Sequence, residues 1–419
     1  MLFISLFASG VAHGADEPCY GHSAENRVST AQFWVEWDGD FLNEAQATVI
    51  AEAAEHAADT YRDLGWQFTT EPVVIAVTEQ GTYGISGLTR TSVCTTTPVP
   101  RIDLFLGQYD ESSAVDVTSH EVGHIAEYAY MGAYNDSVDS WLWWMESTAT
   151  WLTPHADGLW TGWGDTANAY LEHPEMGMHH GLEGFLDDNI SAHMYATTYV
   201  TETLAEYAGE DAVRATWEYG GAHTGTPILF ADAVNGAGVN FDAYWAWHLA
   251  SLPTRDIERA AYVTETAVAD TAGALPADGS GAPQGLGVEV VRFPSTLGDK
   301  KTQLNVSFDG DPAVPWHVVL VRTTGDAVID YTPLTVTDGH AEGWISGFYR
   351  VDGWLVVSPE AIDLTPRAYT WTAEAAKDEG PMDGLVTLSE APETGGCDHV
   401  HAGGLLAALA ALAVARRRG

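Results

Sequence analysis

The sequence predicts an α+β domain, a small mixed sheet with a helical lobe, followed by an all-β sandwich. Three observations carry this expectation. Between residues 28 and 131, strand-length apolar runs alternate with helix-length runs, the pattern of a sheet with helices laid on it. From 141 to 252 the apolar spacing is mostly helical. After a stretch of Ala, Asp, Gly, Pro and Ser, the chain then turns to short alternating runs separated by turn signals.

With 419 residues, the chain is long enough for roughly two to three domains with ample core. Seventeen basic residues against 59 acidic ones give a formal net charge of −42. That charge argues against nucleic acid and anionic membrane surfaces as partners. Lysine occurs only as Lys300, Lys301 and Lys377. No complete EF-hand loop accompanies the carboxylates, so a structural Ca2+ finds no support in the sequence.

In chain order, residues 1–15 read as a secretory signal peptide, apolar from Leu2 to Leu6 with small residues around Ala12 and Gly14. The charged n-region is missing, and an N-terminal strand of the mature fold is the other reading. In an exported chain, Cys19 and Cys94 lack metal spacing and are expected to form one disulfide. Gln32 to Trp37 alternates as a strand, and Trp37 to Asp40 is a turn. Asn43 to Leu64 has Ile50, Ala53, Ala57, Tyr61 and Leu64 at helical spacing, with Gly65 as the stop. His56 on that helix reads as a surface or boundary residue. Val73 to Val77 and Arg101 to Leu106 read as strands. Gly81 to Gly87 reads as a loop, since it lacks the G-x-S-x-G spacing of a nucleophile elbow.

The next helix, Ser113 to Met131, is expected to start on the Ser113/Asp116 S-x-x-D signature and to stop at Gly132. It carries His120, Glu121, Val122, Gly123 and His124, an H-E-x-x-H motif. Histidines at i and i+4 project from one helical face, close enough for both imidazoles to hold one metal ion. Zinc suits imidazole and carboxylate ligands, and a catalytic site keeps one position for water, whose proton Glu121 can take as general base. The plain alternative is a solvated helix bearing the motif by chance. A third ligand is needed. The metzincin continuation, with glycine at 127 and a third histidine at 130, is excluded, because the chain has Glu127 and Tyr130 there. Glu146 follows the second histidine by 146 − 124 = 22 positions, inside the apolar, aromatic run Trp141 to Trp151. A carboxylate in such a buried helix needs a partner, and a metal is one. The alternative is a glutamate on the wet side of an amphipathic helix.

HEVGH followed by WWMESTATW resembles the gluzincin metallopeptidases. It is more closely similar to secreted metalloproteases of myxobacteria, which pair H-E-x-x-H with a W-x-E-A-T-A-T-W-like segment. The resemblance covers residues from about Arg27 to Glu218 and is specific at the two motifs. It implies a zincin-like catalytic domain with one Zn2+ held by His120, His124 and Glu146, and Glu121 as base. It also implies an edge strand beside the cleft that pairs with an extended peptide. Thermolysin-like members carry an aspartate four residues after the ligand glutamate that orients a zinc histidine. Here that position is Thr150, so such support is missing or comes from elsewhere. Aminopeptidase-type members place an oxyanion-binding tyrosine at the start of a later helix. The likeness points to Tyr195, with Tyr199 second, before a helix over Val200 to Tyr207 that ends near Gly209.

Trp160 to Gly164 reads as an aromatic, glycine-rich loop. His173, His179 and His180 read as solvated loop histidines, with a second metal or a cleft lining as the alternative. Trp217 to Leu252 completes the helical lobe, with Tyr244, Trp245 and Trp247 as packing anchors. The catalytic domain is thus expected over 16–265 and a linker over 266–287. An immunoglobulin- or fibronectin-like sandwich follows over 288–376, from runs at Val288 to Phe293, Gln303 to Phe308, Trp316 to Arg322, Gly353 to Ser358 and Tyr369 to Ala373. A second linker covers 377–394. The tail over 395–419 has Gly395, Gly396 and Cys397, an apolar run from Gly404 to Ala415 and arginines 416–418. It resembles myxobacterial C-terminal sorting signals. Its apolar run is shorter than a membrane span, which implies transient membrane association and processing near Cys397.

The expected function is a bacterial zinc metallopeptidase, secreted or attached to the cell surface or outer membrane, acting on peptide or protein substrates. Two other readings stand beside it: a non-catalytic surface adhesin or binding protein on a peptidase scaffold, and a zinc hydrolase of a non-peptide bond. Oligomeric state is left open by the sequence.

Overall fold

The computed structural model describes residues 24–79, 87–92, 99–107, 109–131, 141–179, 193–223, 229–299, 302–361, 363–382 and 385–386. The expected signal peptide, Cys19, Cys94, Cys397, Gly132, His180 and the tail over 395–419 lie outside the described residues.

The chain is mixed α+β. Its first sheet has the order β1-β2-β3-β5-β4, from β1 (Asn26–Ser29), β2 (Phe33–Trp37), β3 (Val73–Thr78), β4 (Gly87–Ser92) and β5 (Val99–Phe105). β2, β3 and β5 run parallel, with β1 and β4 antiparallel on the two edges. Helix α1 (Glu44–Asp63) makes the crossover from β2 to β3, as a parallel pair requires. Asn43 starts it with a capping box, accepting the Gln46 N–H at 3.0 Å while the Gln46 side chain accepts the Asn43 N–H at 3.0 Å.

α2 (Glu111–Met131) lies against this sheet. Its N-terminus is held by Asp110, whose Oδ1 accepts the Ser113 N–H at 2.9 Å, so the expected Ser113 cap is displaced by three residues. Asp116 is instead half-inside the fold beside Asp157, and burial and that second carboxylate raise its pKa to about 7. α3 (Leu142–Asp157) packs against α2. α4 (Trp160–Glu172) replaces the expected loop over Trp160 to Gly164. Tertiary contacts override the glycines there: the Trp163 indole donates to Thr198 Oγ1 at 2.9 Å and Arg259 stacks over Trp160 at 3.7 Å. The lobe continues with α5 (Thr198–Ala208), α6 (Glu210–Ala222), α7 (Phe230–Gly236) and α8 (Phe241–Ser251).

The remaining strands form two sheets. One is five-stranded, with order β11-β10-β13-β8-β6, and the other four-stranded, with order β12-β9-β14-β7. The strands are β6 (Ala269–Thr271), β7 (Ala277–Gly281), β8 (Glu289–Phe293), β9 (Thr302–Gly310), β10 (Trp316–Thr324), β11 (Ala327–Leu334), β12 (His340–Ile345), β13 (Asp352–Pro359) and β14 (Tyr369–Lys377). Phe293, Val318 and Leu355 of the β11-β10-β13-β8-β6 sheet share a core with Leu304, Phe308 and Trp371 of the four-stranded sheet, which makes a sandwich. The stretch 266–287, expected as a linker, supplies β6 and β7. Its small residues are what the packing requires. A Cβ on Gly279 would stand 2.6 Å from the Trp371 ring, so β7 pairs with β14 only because that residue has no side chain.

The sandwich is packed on the lobe rather than strung from it. The outer face of the five-stranded sheet, through Val319, Val321, Trp354 and Val356, joins one core with Trp245 and Trp247 of α8. Within that lobe His248 is fully buried, 2.9 Å from Thr203 Oγ1 and 3.1 Å from the Tyr170 hydroxyl. Burial lowers its pKa from 6.5 to about 3. The unfolded chain therefore takes up this proton first, and stability present above the ordinary histidine pKa is lost as pH falls through the folded value. In thermal unfolding, the advantage of wild type over H248Q is expected to shrink between pH 6.5 and about 3. A difference independent of pH across that window would contradict the assignment.

Candidate metal centre

α2 brings His120 and His124 to one face, as their spacing requires, and α3 brings Glu146 opposite them. His120 Nε2 lies 3.1 Å from Glu146 Oε2, His124 Nε2 lies 3.6 Å from the same oxygen, and the two Nε2 atoms are 3.2 Å apart. All three side chains are buried. Ligands placed tetrahedrally about 2.0–2.1 Å from a zinc ion stand about 3.3 Å from one another. The three donor atoms have this spacing, and their chemistry, two imidazoles and a carboxylate, is that of a zinc site.

The second ring nitrogen of His124 has a partner that suits the same reading. His124 Nδ1 lies 2.8 Å from Glu127 Oε2. An N–H donated there leaves the Nε2 lone pair directed at His120 and Glu146. Glu127, one turn along α2 from His124, thus makes an imidazole–carboxylate contact of the kind that the likeness places at position 150. The sequence signal for it is the H-x-x-E spacing of His124 and Glu127, which puts the two side chains on the same helical face. Glu127→Ala should lower zinc affinity at this centre by about 10–100-fold, measured by competition against a chelator. Unchanged affinity would remove Glu127 from the centre.

Glu121 is fully buried, and two residues of the edge strand β4 shape its position. Thr89 Oγ1 lies 2.6 Å from Glu121 Oε2 and 2.9 Å from the Glu121 carbonyl oxygen. At Gly87, a Cβ would come within 2.7 Å of Glu121 Cγ, so the carboxylate has its place only because the strand carries no side chain there. Tyr128 fixes the strand further by donating its hydroxyl to the Thr89 carbonyl at 3.2 Å. Residue 87 therefore belongs to a strand, not to the loop expected over Gly81 to Gly87.

The charges in the cluster are unevenly matched. Burial pushes the Glu121 carboxyl up to about 8, and Oε1 of this residue has no hydrogen-bond partner among the described residues. Burial likewise raises Glu127 to about 8, and its Oε1 is also unmatched among them. For Glu146, burial is outweighed by His124 and His120, which bring it down to about 2. Burial lowers His120, whereas for His124 the Glu127 and Glu146 carboxylates overcome burial and raise it. At neutral pH this leaves Glu121 and Glu127 protonated and Glu146 charged against His124, and a divalent cation among them would favour the ionised carboxylates and the neutral imidazoles.

Tyr195 sits in a helical turn over 193–196, just before α5. Its ring centroid is 5.9 Å from that of His120. Burial, then the Glu146 and Glu121 carboxylates, raise its phenol well above the ordinary value. Tyr199 is elsewhere, stacked on Tyr170 with centroids 5.7 Å apart. Of the loop histidines, His173 is exposed beside Glu175, and His179 packs 5.7 Å from Trp143.

No protein-family model and no curated protein matches the chain. Among solved structures, the pre-peptidase C-terminal domain of a collagenase from Bacillus anthracis aligns at 14% identity over 26% of this chain and 95% of that one, with a TM-score of 0.21. The Yersinia pseudotuberculosis-derived mitogen aligns at 14% identity over 27% of this chain and 97% of that one, with a TM-score of 0.19. Similarities this small carry no inference about fold or function.

Proposed function

We propose that this protein is a zinc-dependent metallopeptidase of zincin-like fold, with zinc held by His120, His124 and Glu146. The observation that carries the reading is the convergence of those three donor atoms at 3.1–3.6 Å, with Glu121 held beside them by an edge strand. Zinc in such a site supplies a Lewis acid that makes water acidic near neutral pH and polarises a carbonyl. The protein's own groups account for the rest. Thr89 anchors Glu121 Oε2, leaving Oε1 to accept the proton of the attacking water. Burial favours the neutral carboxyl, and positive charge nearby restores the ionised form that can act as base. Tyr195, whose ring lies beside that of His120, donates its hydroxyl to the oxygen that gains charge at the scissile carbonyl. Among the described residues β4 is the last strand on its side of the sheet, and such an edge is the backbone surface on which an extended peptide adds as a strand.

Export and attachment through the C-terminal tail form part of the proposal, and an immunoglobulin- or fibronectin-like topology is its finer reading of the sandwich. Incubating the purified protein with a peptide library, with and without a chelator, tests the activity. Cleavage should require zinc and return when zinc is restored. Tyr195→Phe should keep the metal and slow cleavage on the order of a hundredfold. Cleavage that survives full metal removal would overturn the reading.

A further inference from the structure

A second group of metal-ligating side chains lies away from the first centre, where α8 meets the sandwich. Asp242 is in the first turn of α8, His317 is on β10, and Glu360 follows the end of β13. One ligand atom from each lies within 4.8 Å of both others. The sandwich itself brings two of them together. His317 pairs in register with Ser358, and Glu360, two residues on, has its N–H bonded to the Pro315 carbonyl at 2.9 Å. Alternation places His317, Ser358 and Glu360 on one face of the sheet, the face that packs on α8. There Trp245 of α8 donates to Ser358 Oγ at 3.2 Å, and Phe241 holds the His317 ring edge to face at 5.7 Å.

An independent feature of His317 points to a ligand. Its Nε2 is shielded from solvent and makes no hydrogen bond among the described residues, although Glu360 Oε2 stands 3.3 Å away. Buried polar nitrogens are almost always matched. Asp242 and Glu360 form no ion pair with lysine or arginine among the described residues, and two carboxylates this close repel each other unless a cation or a proton intervenes. One imidazole and two carboxylates, with water completing the shell, suit zinc or a similar transition cation better than calcium, which takes oxygen ligands.

We infer that Asp242, His317 and Glu360 form a second divalent-cation site that clips the helical lobe to the sandwich. The site takes ligands from both layers, so an ion bound there stabilises their packing and has no part in the chemistry at Glu121. It does not depend on the peptidase reading.

Zinc content and thermal unfolding of the full chain test it, after stripping with chelator, reloading with zinc chloride and removing loose metal. Wild type should retain about two zinc ions per chain, and D242N, H317Q and E360Q about one each. A His120→Ala, His124→Ala double variant, confirmed as folded by circular dichroism, should still retain one. In that background, excess zinc should raise Tm on the order of 5 °C, and adding H317Q should abolish the rise. A folded double variant that neither binds zinc nor gains stability from it would overturn the inference. So would a zinc content that H317Q, D242N and E360Q all leave unchanged, since the metal would then be elsewhere. Wild type with a single ion that is lost in H317Q but kept in the His120/His124 variant would uphold this site and overturn the first centre instead.

Discussion

Glu121→Gln is expected to keep its zinc and to cleave peptide bonds about 100- to 10,000-fold more slowly than wild type. Glutamine nearly matches the shape of glutamate, so the amide can occupy the space that Gly87 leaves and still accept from Thr89, 2.6 Å away in the wild-type structure. What it cannot do is take a proton. Packing and metal content are thus held constant while one chemical capacity is removed. Zinc analysis and cleavage rates on the same preparation give both readings. A variant with full zinc and near-wild-type cleavage would remove Glu121 from the chemistry.

Losing a ligand should have a different signature, with metal and activity disappearing together. Glu146→Ala leaves His120 Nε2 and His124 Nε2 facing each other at 3.2 Å without the carboxylate that completes the set. Two imidazoles are a poor zinc site, so zinc at this centre and cleavage should both fall to background. Removing one partner of a buried charged cluster costs about 3–5 kcal/mol, and folding has to be checked by circular dichroism. Glu146→Gln, which keeps the volume, separates loss of ligation from loss of fold. Retention of wild-type zinc and cleavage in folded Glu146→Gln would contradict the assigned ligand set.

Residues whose roles depend on local spacing were legible in the sequence. His120 and His124 converge because a helix places i and i+4 together, and Glu146 stood out as a carboxylate within an apolar, aromatic helix. Tyr195 came from likeness alone, and the fold sets it beside His120 while turning Tyr199 into the aromatic core. Glu127 is equally local, but the likeness to thermolysin-like members points to position 150 instead. Thr89 and Gly87 could not be read in the same way. Their role depends on an edge strand pairing antiparallel to β5 and approaching α2, contacts between residues about 32 positions apart that no local period encodes. The stretch over 266–287 misled for a related reason. Glycine there signals a flexible linker by composition, yet Gly279 is needed because the Trp371 ring fills the space of a side chain.

The most direct measurement is an anomalous diffraction map at the zinc edge from crystals of the zinc-loaded protein. The account predicts a peak about 2.0–2.1 Å from His120 Nε2, His124 Nε2 and Glu146 Oε2, with Glu121 near the ion but not bound to it. A fully loaded protein with no peak among those three side chains, or with Glu121 itself as a ligand, would contradict it.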